Sequence, residues 1–498
     1  MREMTAERKQ KFWKREFLLA LGFFALALAL RLLNFPYATI SPVDELYHWK
    51  RMTYSATHFP RVLELDPDRG DGGAFCPWPP LYDLAAGGAA RLLGARDAGG
   101  VLARVEWFPP VIFACFVAAS VAVLARTRGA FTAIVAGSAL AASPFLVTTS
   151  WIGSIDHHFL EPIFTFAILW ATLGSVGAPA LGRAALPRAA APTLLGVALT
   201  AAMFVQTALI IAAGLSFVVL FVRARRDAAI AFAIPAVAIA LYRLTRPPGF
   251  PNNQWFLGWT HAAIFAGAAV ALLFPRRAIG LALGALVTAP VLPQLIRGAH
   301  FFGGDPWLRT INEFQPVWRA RGEDLLSIAV GIGAGAILVW PLLWRRRDRA
   351  EVTVALFAIV YLVLTINSRR FWIIAIPLLA LAGAMMAGKR IVLALLVAVP
   401  PPLQLAGWLM TPPSLPPNER RWVEAARQLR TQPPGRVLAP WSMGHALDVI
   451  GGHAVIIDNF GSMPDPALFD AANAALAGRD LEKFCREHKV RYVIRDVR

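Results

Sequence analysis

Three short stretches of an otherwise apolar chain carry side chains able to hold a cation or move a proton: SPVDELYHW at 41–49, GSIDHHFLEP at 153–162 and RTINEFQPVW at 309–318. Asp44, Asp156, His158 and Glu313 are hard oxygen donors plus an imidazole, a set suited to Mn²⁺ or Mg²⁺. Asp156 and His158 lie two residues apart in what reads as an extended stretch, which would point them the same way. A cation there would neutralise a diphosphate leaving group, and a site at the bilayer surface can receive a lipid-borne donor. Taken singly, each residue has a plainer reading. Ser154 or Asp156 could cap the helix starting at Phe159, Asp44 could be a solvated loop residue, and Glu313 could be one surface charge among Asp305, Glu323 and Asp324. What favours a site is their placement together.

That placement follows from the elements around them. The 498 residues are 57% hydrophobic and 16% charged, and apolar runs near twenty residues recur along the chain, so it reads as a polytopic α-helical membrane protein. Runs long enough to span begin near residues 17, 108, 130, 159, 190, 207, 228, 261, 278, 325, 352, 371 and 389, which gives about thirteen transmembrane helices. Residues 190–222 could be one long helix or two short ones joined at Gln206. Basic clusters precede the first run and recur at Arg126/Arg128, Arg183/Arg188, 223–226, 276–277, 345–349 and 389–390, always on alternate connections. The positive-inside rule then places the N-terminus in the cytoplasm, the C-terminal segment outside, and all three acidic stretches in the outer compartment. The expected location is the inner (plasma) membrane. The first run lacks a small-residue cleavage site and reads as a retained anchor.

A net charge of +18 is accounted for by this topology signal and by attraction to anionic membrane lipids, with no nucleic acid required. Cys76, Cys115 and Cys485 have neither disulfide-framework nor zinc-type spacing. There is no nucleotide-binding glycine loop and no internal repeat. A transporter or flippase of lipid-linked sugars would want ionisable groups near mid-membrane in repeated halves, which makes it the less favoured function class.

The mass outside the membrane falls in loops 36–107 and 297–325 and in residues 411–498. Within the first loop, FCPWPPLYDLAAGGAARLLGA at 75–95 reads as a turn and an amphipathic helix. Beyond TPPSLPP at 411–417, NERRWVEAARQLRTQ and DLEKFCREHKV read as helices, and GRVLAP, HAVIID and RYVIRDV as strands. The expectation is a membrane domain (1–410) and a small C-terminal α/β extracytoplasmic domain (411–498).

Asp44 after the first span, DHH at 156–158 followed by Glu161, and TINE at 310–313, in that order, resemble the catalytic subunits of oligosaccharyltransferases, in particular the single-subunit bacterial and archaeal enzymes. The resemblance covers most of the chain. It implies a GT-C glycosyltransferase fold in which Asp44, Asp156, His158 and Glu313 surround Mn²⁺ or Mg²⁺ and orient the acceptor, with His157 in a supporting position. SRRFW at 368–372 is similar to the family's opening of a late span, which implies that Arg370 meets the lipid pyrophosphate. It further implies a polyprenyl-diphosphate-linked glycan as donor and a protein, peptide or other extracytoplasmic acceptor, most simply a protein asparagine. One motif departs from the family. PWSMG at 440–444 stands where WWDYG reads the Ser or Thr of an Asn-x-Ser/Thr acceptor; Trp441 and Gly444 match, while Ser442 replaces the aspartate. The register is supported by GGHAVIIDNFG at 451–461. Lacking that carboxylate, the chain could serve a non-sequon acceptor such as a lipid or surface polymer, or PWSMGH could be an ordinary turn without acceptor contact.

Overall fold

The structure is a computed structural model and describes residues 6–33, 40–177, 190–223, 226–299, 307–319, 348–387, 390–409 and 416–495. The span expected near 325, the Arg183/Arg188 cluster and most of the 411–417 linker lie outside the described residues.

Among the described residues five helices are long and apolar enough to cross a membrane: Ala98–Arg128, Arg226–Leu244, Arg277–Gly298, Arg349–Asn367 and Arg369–Ala387. Shorter apolar helices alternate with them, including Ala130–Ala142, Ala191–Val205, Thr207–Val222 and Trp259–Leu273. Residues 190–222 are two helices, broken where Gln206 is extended (φ −154°, ψ 118°). The expected span at 130 is likewise interrupted, at Ser143–Pro144, because proline denies the next turn a donor. Helix Trp372–Ala387 is apolar around its whole circumference and buried from Ile373 to Ala387, as befits the helix at the bundle centre.

Helices Trp259–Leu273 and Arg277–Thr288 touch through glycine. A Cβ on Gly267 would lie 2.7 Å from the Gly284 carbonyl oxygen, and one on Gly284 would lie 2.5 Å from that of Gly267. Such small-residue seams let backbones approach where no hydrophobic drive exists between lipid-bathed helices.

Ion pairs gather one end of the bundle. Arg126 bonds Glu16 at 3.1 Å, and Arg128 bonds Asp348 at 2.5 Å and Glu351 at 3.0 Å. These residues come from connections that the charge pattern assigned to one side. The acidic stretches collect at the other end.

There, the first loop folds into helix Asp44–His58, a two-residue hairpin (Leu65–Asp66 against Ala74–Phe75) and helix Leu81–Leu92. Gly87 lets the two helices meet: a Cβ there would lie 2.4 Å from the Met52 carbonyl oxygen. The helix expected after FCPWPP is therefore present and fixes the helix that carries Asp44.

Residues 416–495 form a cap. Helix Pro417–Leu429 packs beside strand Arg436–Leu438, which pairs in parallel with Val490–Val493. HAVIID, expected as a strand, contributes only isolated bridges at Val455, because Gly451 and Gly452 before it and the Asp458 turn after it leave no room for a longer ladder. Val455 bridges Val437 on one side and Arg69 of the first loop on the other, so the small sheet runs across the boundary between cap and loop. Arg69, 1% exposed, bonds both carboxylate oxygens of Asp458 and lies over the Phe460 ring at 4.3 Å. Lys50 bonds Asp448 at 2.8 Å and Asp66 at 2.9 Å. The cap is thereby seated on the first loop by two charge pairings, Arg69–Asp458 buried and Lys50–Asp448 half-buried.

Candidate active site

Asp44 and Glu45 occupy the first turn of helix Asp44–His58, where the helix dipole favours acids. Asp156 is extended (φ −72°, ψ 146°) and accepts the chain into a tight turn, His157–Phe159, before helix Leu160–Ser175. Its carboxylate makes no capping bond, so the helix-cap reading of Asp156 fails. Ser154 instead bonds back to the Thr149 carbonyl at 3.4 Å. His158 belongs to the turn and not to an extended stretch, yet its Nε2 lies 3.2 Å from Asp156 Oδ2, so the two side chains do meet.

One atom each from Asp44, Asp156 and His158 fits within a 4.8 Å group. Glu313, in the turn Asn312–Phe314, lies beside them: its Oε1 is 3.8 Å from Arg370 Nε, and its charge adds to that pushing on Asp44. Two bonds hold its segment against the start of the late helix, Arg369 N to the Gln315 carbonyl at 3.1 Å and Ser368 Oγ to the Glu313 carbonyl at 3.4 Å. Arg370 is bonded to Glu161 and, at 3.0 Å, faces His158 Nδ1, which also contacts Glu161 at 3.1 Å. All five expected residues, Asp44, Asp156, His158, Glu313 and Arg370, are thus together on the wall of one cavity of about 950 Å³.

The electrostatics fit a cation. Burial, and then the charge of Asp156, pushes the Asp44 carboxyl up to about 7 and that of Glu45 up to about 8. For Asp156 burial acts upward too, but the charges of His158 and His157 override it and hold the group well below its usual range. Carboxyls crowded enough to resist ionisation are relieved by a divalent ion.

Behind Asp156 lies a layer that the sequence did not disclose. His48 Nδ1 bonds Asp83 Oδ1 at 2.5 Å, and Arg51 bonds the other Asp83 oxygen. His48 Nε2 lies 2.8 Å from His157 Nδ1, and His157 Nε2 is 2.8 Å from the Gln206 amide. His157, 1% exposed, is turned away from the cavity in this way, in line with a supporting position. His48 stands four residues after Asp44 on one helix, a spacing that places both on one face and could have singled it out. Asp83 and Gln206 lie too far along the chain for any pattern to reveal.

The cap roofs the cavity. Trp441 and Ser442 line it, as do Asn459, Phe460 and Met463. PWSMG forms a short turn, Trp441–Met443, opening helix Gly444–Val449. Asn459 closes against it: its Nδ2 donates to the Ser442 carbonyl at 3.4 Å, and its Oδ1 accepts from His445 N at 3.2 Å. Gly461 (φ +55°) lies under Trp307, whose ring a Cβ would meet at 2.0 Å, so roof and second outer segment interlock. The cavity floor includes Phe145, Ile210, Ile264 and Ile376 from the membrane helices.

This helical bundle with a cap above an acidic cavity matches solved structures. The archaeal oligosaccharyltransferase AglB from Archaeoglobus fulgidus, in complex with an inhibitory peptide and a dolichol-phosphate, aligns over 97% of this chain and 69% of that one (TM-score 0.77, 16% identity). The chain has the fold of an oligosaccharyltransferase. Two further structures of the Archaeoglobus fulgidus enzyme agree. One, tethered to an acceptor peptide containing the NVT sequon, aligns over 97% of this chain and 69% of that one (TM-score 0.71, 16% identity). The other, a complex with Zn and sulfate, aligns over 91% and 66% (TM-score 0.66, 16% identity). No protein-family profile matches the chain. No curated protein matches it in sequence. The expectation of a GT-C membrane fold holds.

Proposed function

We propose that the protein is a membrane glycosyltransferase that moves a glycan from a polyprenyl-diphosphate carrier to an acceptor, in the manner of an oligosaccharyltransferase. The observation that carries this reading is the convergence of Asp44, Asp156 and His158, with Glu313 and Arg370 beside them, in one cavity that reaches from membrane helices to the cap. The apolar floor suits a lipid donor and the aromatic roof suits an acceptor. The fold's solved relatives, described with dolichol-phosphate and with an acceptor peptide, support a lipid-borne donor and a peptide-like acceptor.

Asp44, Asp156, His158 and Glu313 would hold Mn²⁺ or Mg²⁺, which supplies charge neutralisation for the departing diphosphate. The relative complexed with Zn supports a metal in this fold. Arg370, anchored by Glu161, is placed to pair with diphosphate oxygens. The carboxylates of Asp44 and Glu313, both partly open to the cavity, would orient the attacking group of the acceptor. Trp441 and Ser442 would meet the acceptor from above.

Ser442 favours a second reading of the acceptor. A carboxylate in that slot gives a hydroxyl a charge-assisted bond worth ~1.5–3 kcal/mol, and a neutral serine grips less. The acceptor is then a protein asparagine read loosely, or a lipid or surface polymer. Purified protein with a polyprenyl-diphosphate glycan should transfer sugar only with divalent metal, and Asp156→Ala should stop turnover while leaving the melting temperature near wild type. Turnover in excess chelator would overturn the reading. Matched peptides bearing Asn-x-Thr and Asn-x-Ala, tested with wild type and Ser442→Asp, separate the acceptor classes. A Thr preference gained only in Ser442→Asp means weak sequon reading, whereas indifference in both means a non-sequon acceptor.

A further inference from the structure

Three ligand atoms behind the acidic set converge on a single point. His48 Nε2 and His157 Nδ1 are 2.8 Å apart, His157 Nδ1 is 2.9 Å from Asp156 Oδ1, and His48 Nε2 is 3.4 Å from that same oxygen. Both histidines are 1% exposed. Each ring has its remote nitrogen occupied, His48 Nδ1 by Asp83 and His157 Nε2 by Gln206. That is the arrangement in which an imidazole presents its other nitrogen to a metal, with a carboxylate or amide fixing ring and tautomer.

We propose that His48, His157 and Asp156 form a second divalent-cation site, nitrogen-rich and buried, bridged through the Asp156 carboxylate to the oxygen-rich set of Asp44, His158 and Glu313. The competing occupant is a proton shared between the two imidazoles. A proton held between the two imidazoles leaves Asp156 Oδ1, which is buried and near both rings but not aligned for a hydrogen bond with either, poorly served. Unpaired buried polar atoms are rare because they are costly. A cation satisfies all three. The distances also suit one: the point equidistant from the three atoms in their plane is about 1.8 Å from each, so an ion about 1 Å out of that plane would lie about 2.0 Å from all three, the length of zinc–nitrogen and zinc–oxygen bonds. For His157 to ligate through Nδ1, its Nε2–H must donate to the Gln206 amide oxygen, which requires the amide to rotate and give up the long 3.4 Å bond that this oxygen accepts from Ala208 N.

The Asp156 oxygens are divided accordingly. Oδ1 faces His48 and His157, and Oδ2 faces His158. A carboxylate used this way joins paired metal sites. The two halves differ in chemistry. Two imidazoles and one carboxylate select a borderline-soft ion such as Zn²⁺, while the carboxylate-rich half suits Mn²⁺ or Mg²⁺. The inference shares Asp156 with the proposed catalytic set but needs no assumption about what is transferred.

The test counts ions on the full-length protein in detergent, supplied with Zn²⁺ and Mn²⁺ and then dialysed against Mg²⁺. Wild type should retain one zinc per chain. His48→Asn and His157→Ala should each lose it while still binding Mn²⁺, read as quenching of the free-ion electron paramagnetic resonance signal. Retained Mn²⁺ binding shows that these variants are folded. X-ray absorption at the zinc edge of wild type should report two imidazoles and no sulfur. Zinc absent from wild type, or present and unaffected by both substitutions, or bound through sulfur, overturns the second site. In those cases undisturbed Mn²⁺ binding leaves the catalytic proposal standing. If neither ion binds wild type, both readings fall.

Discussion

Arg69→Ala should unseat the cap. The Arg69 guanidinium bonds both oxygens of Asp458, donates to the Tyr47 hydroxyl at 3.2 Å, and covers the Phe460 ring. With Arg69 gone, Asp458, 4% exposed, keeps the Phe460 backbone N at 2.9 Å as a donor. Removing one partner of a buried ion pair costs ~3–5 kcal/mol because the remaining charge is stranded. Replacing both partners by apolar groups costs far less, so Arg69→Met with Asp458→Leu should fall within ~1–2 kcal/mol of wild type, the residue being mainly the lost bond to Phe460 N. Denaturant titration followed by tryptophan emission reports the transition, since Trp422 and Trp441 sit in the cap, and protease sensitivity between residues 409 and 416 reports undocking. The reasoning fails if Arg69→Ala shifts stability by less than ~1 kcal/mol, or if the double variant is as unstable as the single one.

Cation affinity at the Asp44 set should depend on pH. Asp44 is pushed up to about 7, so its ionised form is lost as pH falls through that value, whereas Asp156 stays ionised. Between pH 8 and pH 6 calorimetric Mn²⁺ affinity should drop by at least about tenfold from Asp44 alone, and further from His158, which burial and Arg370 push down but Asp156 and Glu161 hold above its ordinary value; a flat profile would remove both from the ligand set. Gly461→Ala puts a Cβ into the Trp307 ring and strains a left-handed backbone, which should cost at least ~2 kcal/mol and raise the KM for the acceptor. Unchanged thermal melting and acceptor KM would show the interlock to be slack. Reporter fusions after Arg347 should read cytoplasmic and those after Pro417 extracytoplasmic; a cytoplasmic signal at Pro417 would separate the cap from the compartment in which the acidic stretches are expected.

Local signals carried much of the arrangement. Hydropathy located apolar helices, five of which among the described residues are long enough to cross a membrane, and the proline at 144 and polar Gln206 mark where two of the expected spans break. Asp44, Asp156 and Glu313 stood out because carboxylates are conspicuous in so apolar a chain, His158 because it follows Asp156 by two, and Arg370 only through the resemblance of SRRFW to a family motif. What escaped was contact between remote segments. Nothing near Asp83 announces that it will orient His48, and nothing near Gly461 announces Trp307. The HAVIID stretch has strand-like residues, but pairing needs partners of matching length, and only Val455 finds them. Likewise the alternation rule placed Asp156 and His158 on one face for the wrong local reason: a tight turn, not an extended strand, brings them together.

The roof of the cavity also sets a timetable. Trp441, Ser442 and Asn459 leave the ribosome after Asp44, Asp156, Glu313 and Arg370, and at about 5–20 residues per second several seconds separate Arg370 from Asn459. Throughout that interval a nascent chain can display its ligands without enclosing a substrate. On the function proposed above, a chain that stalls short of residue 441 would carry the acidic set without its roof, so competence would be withheld until nearly the whole of residues 44–459 has been made.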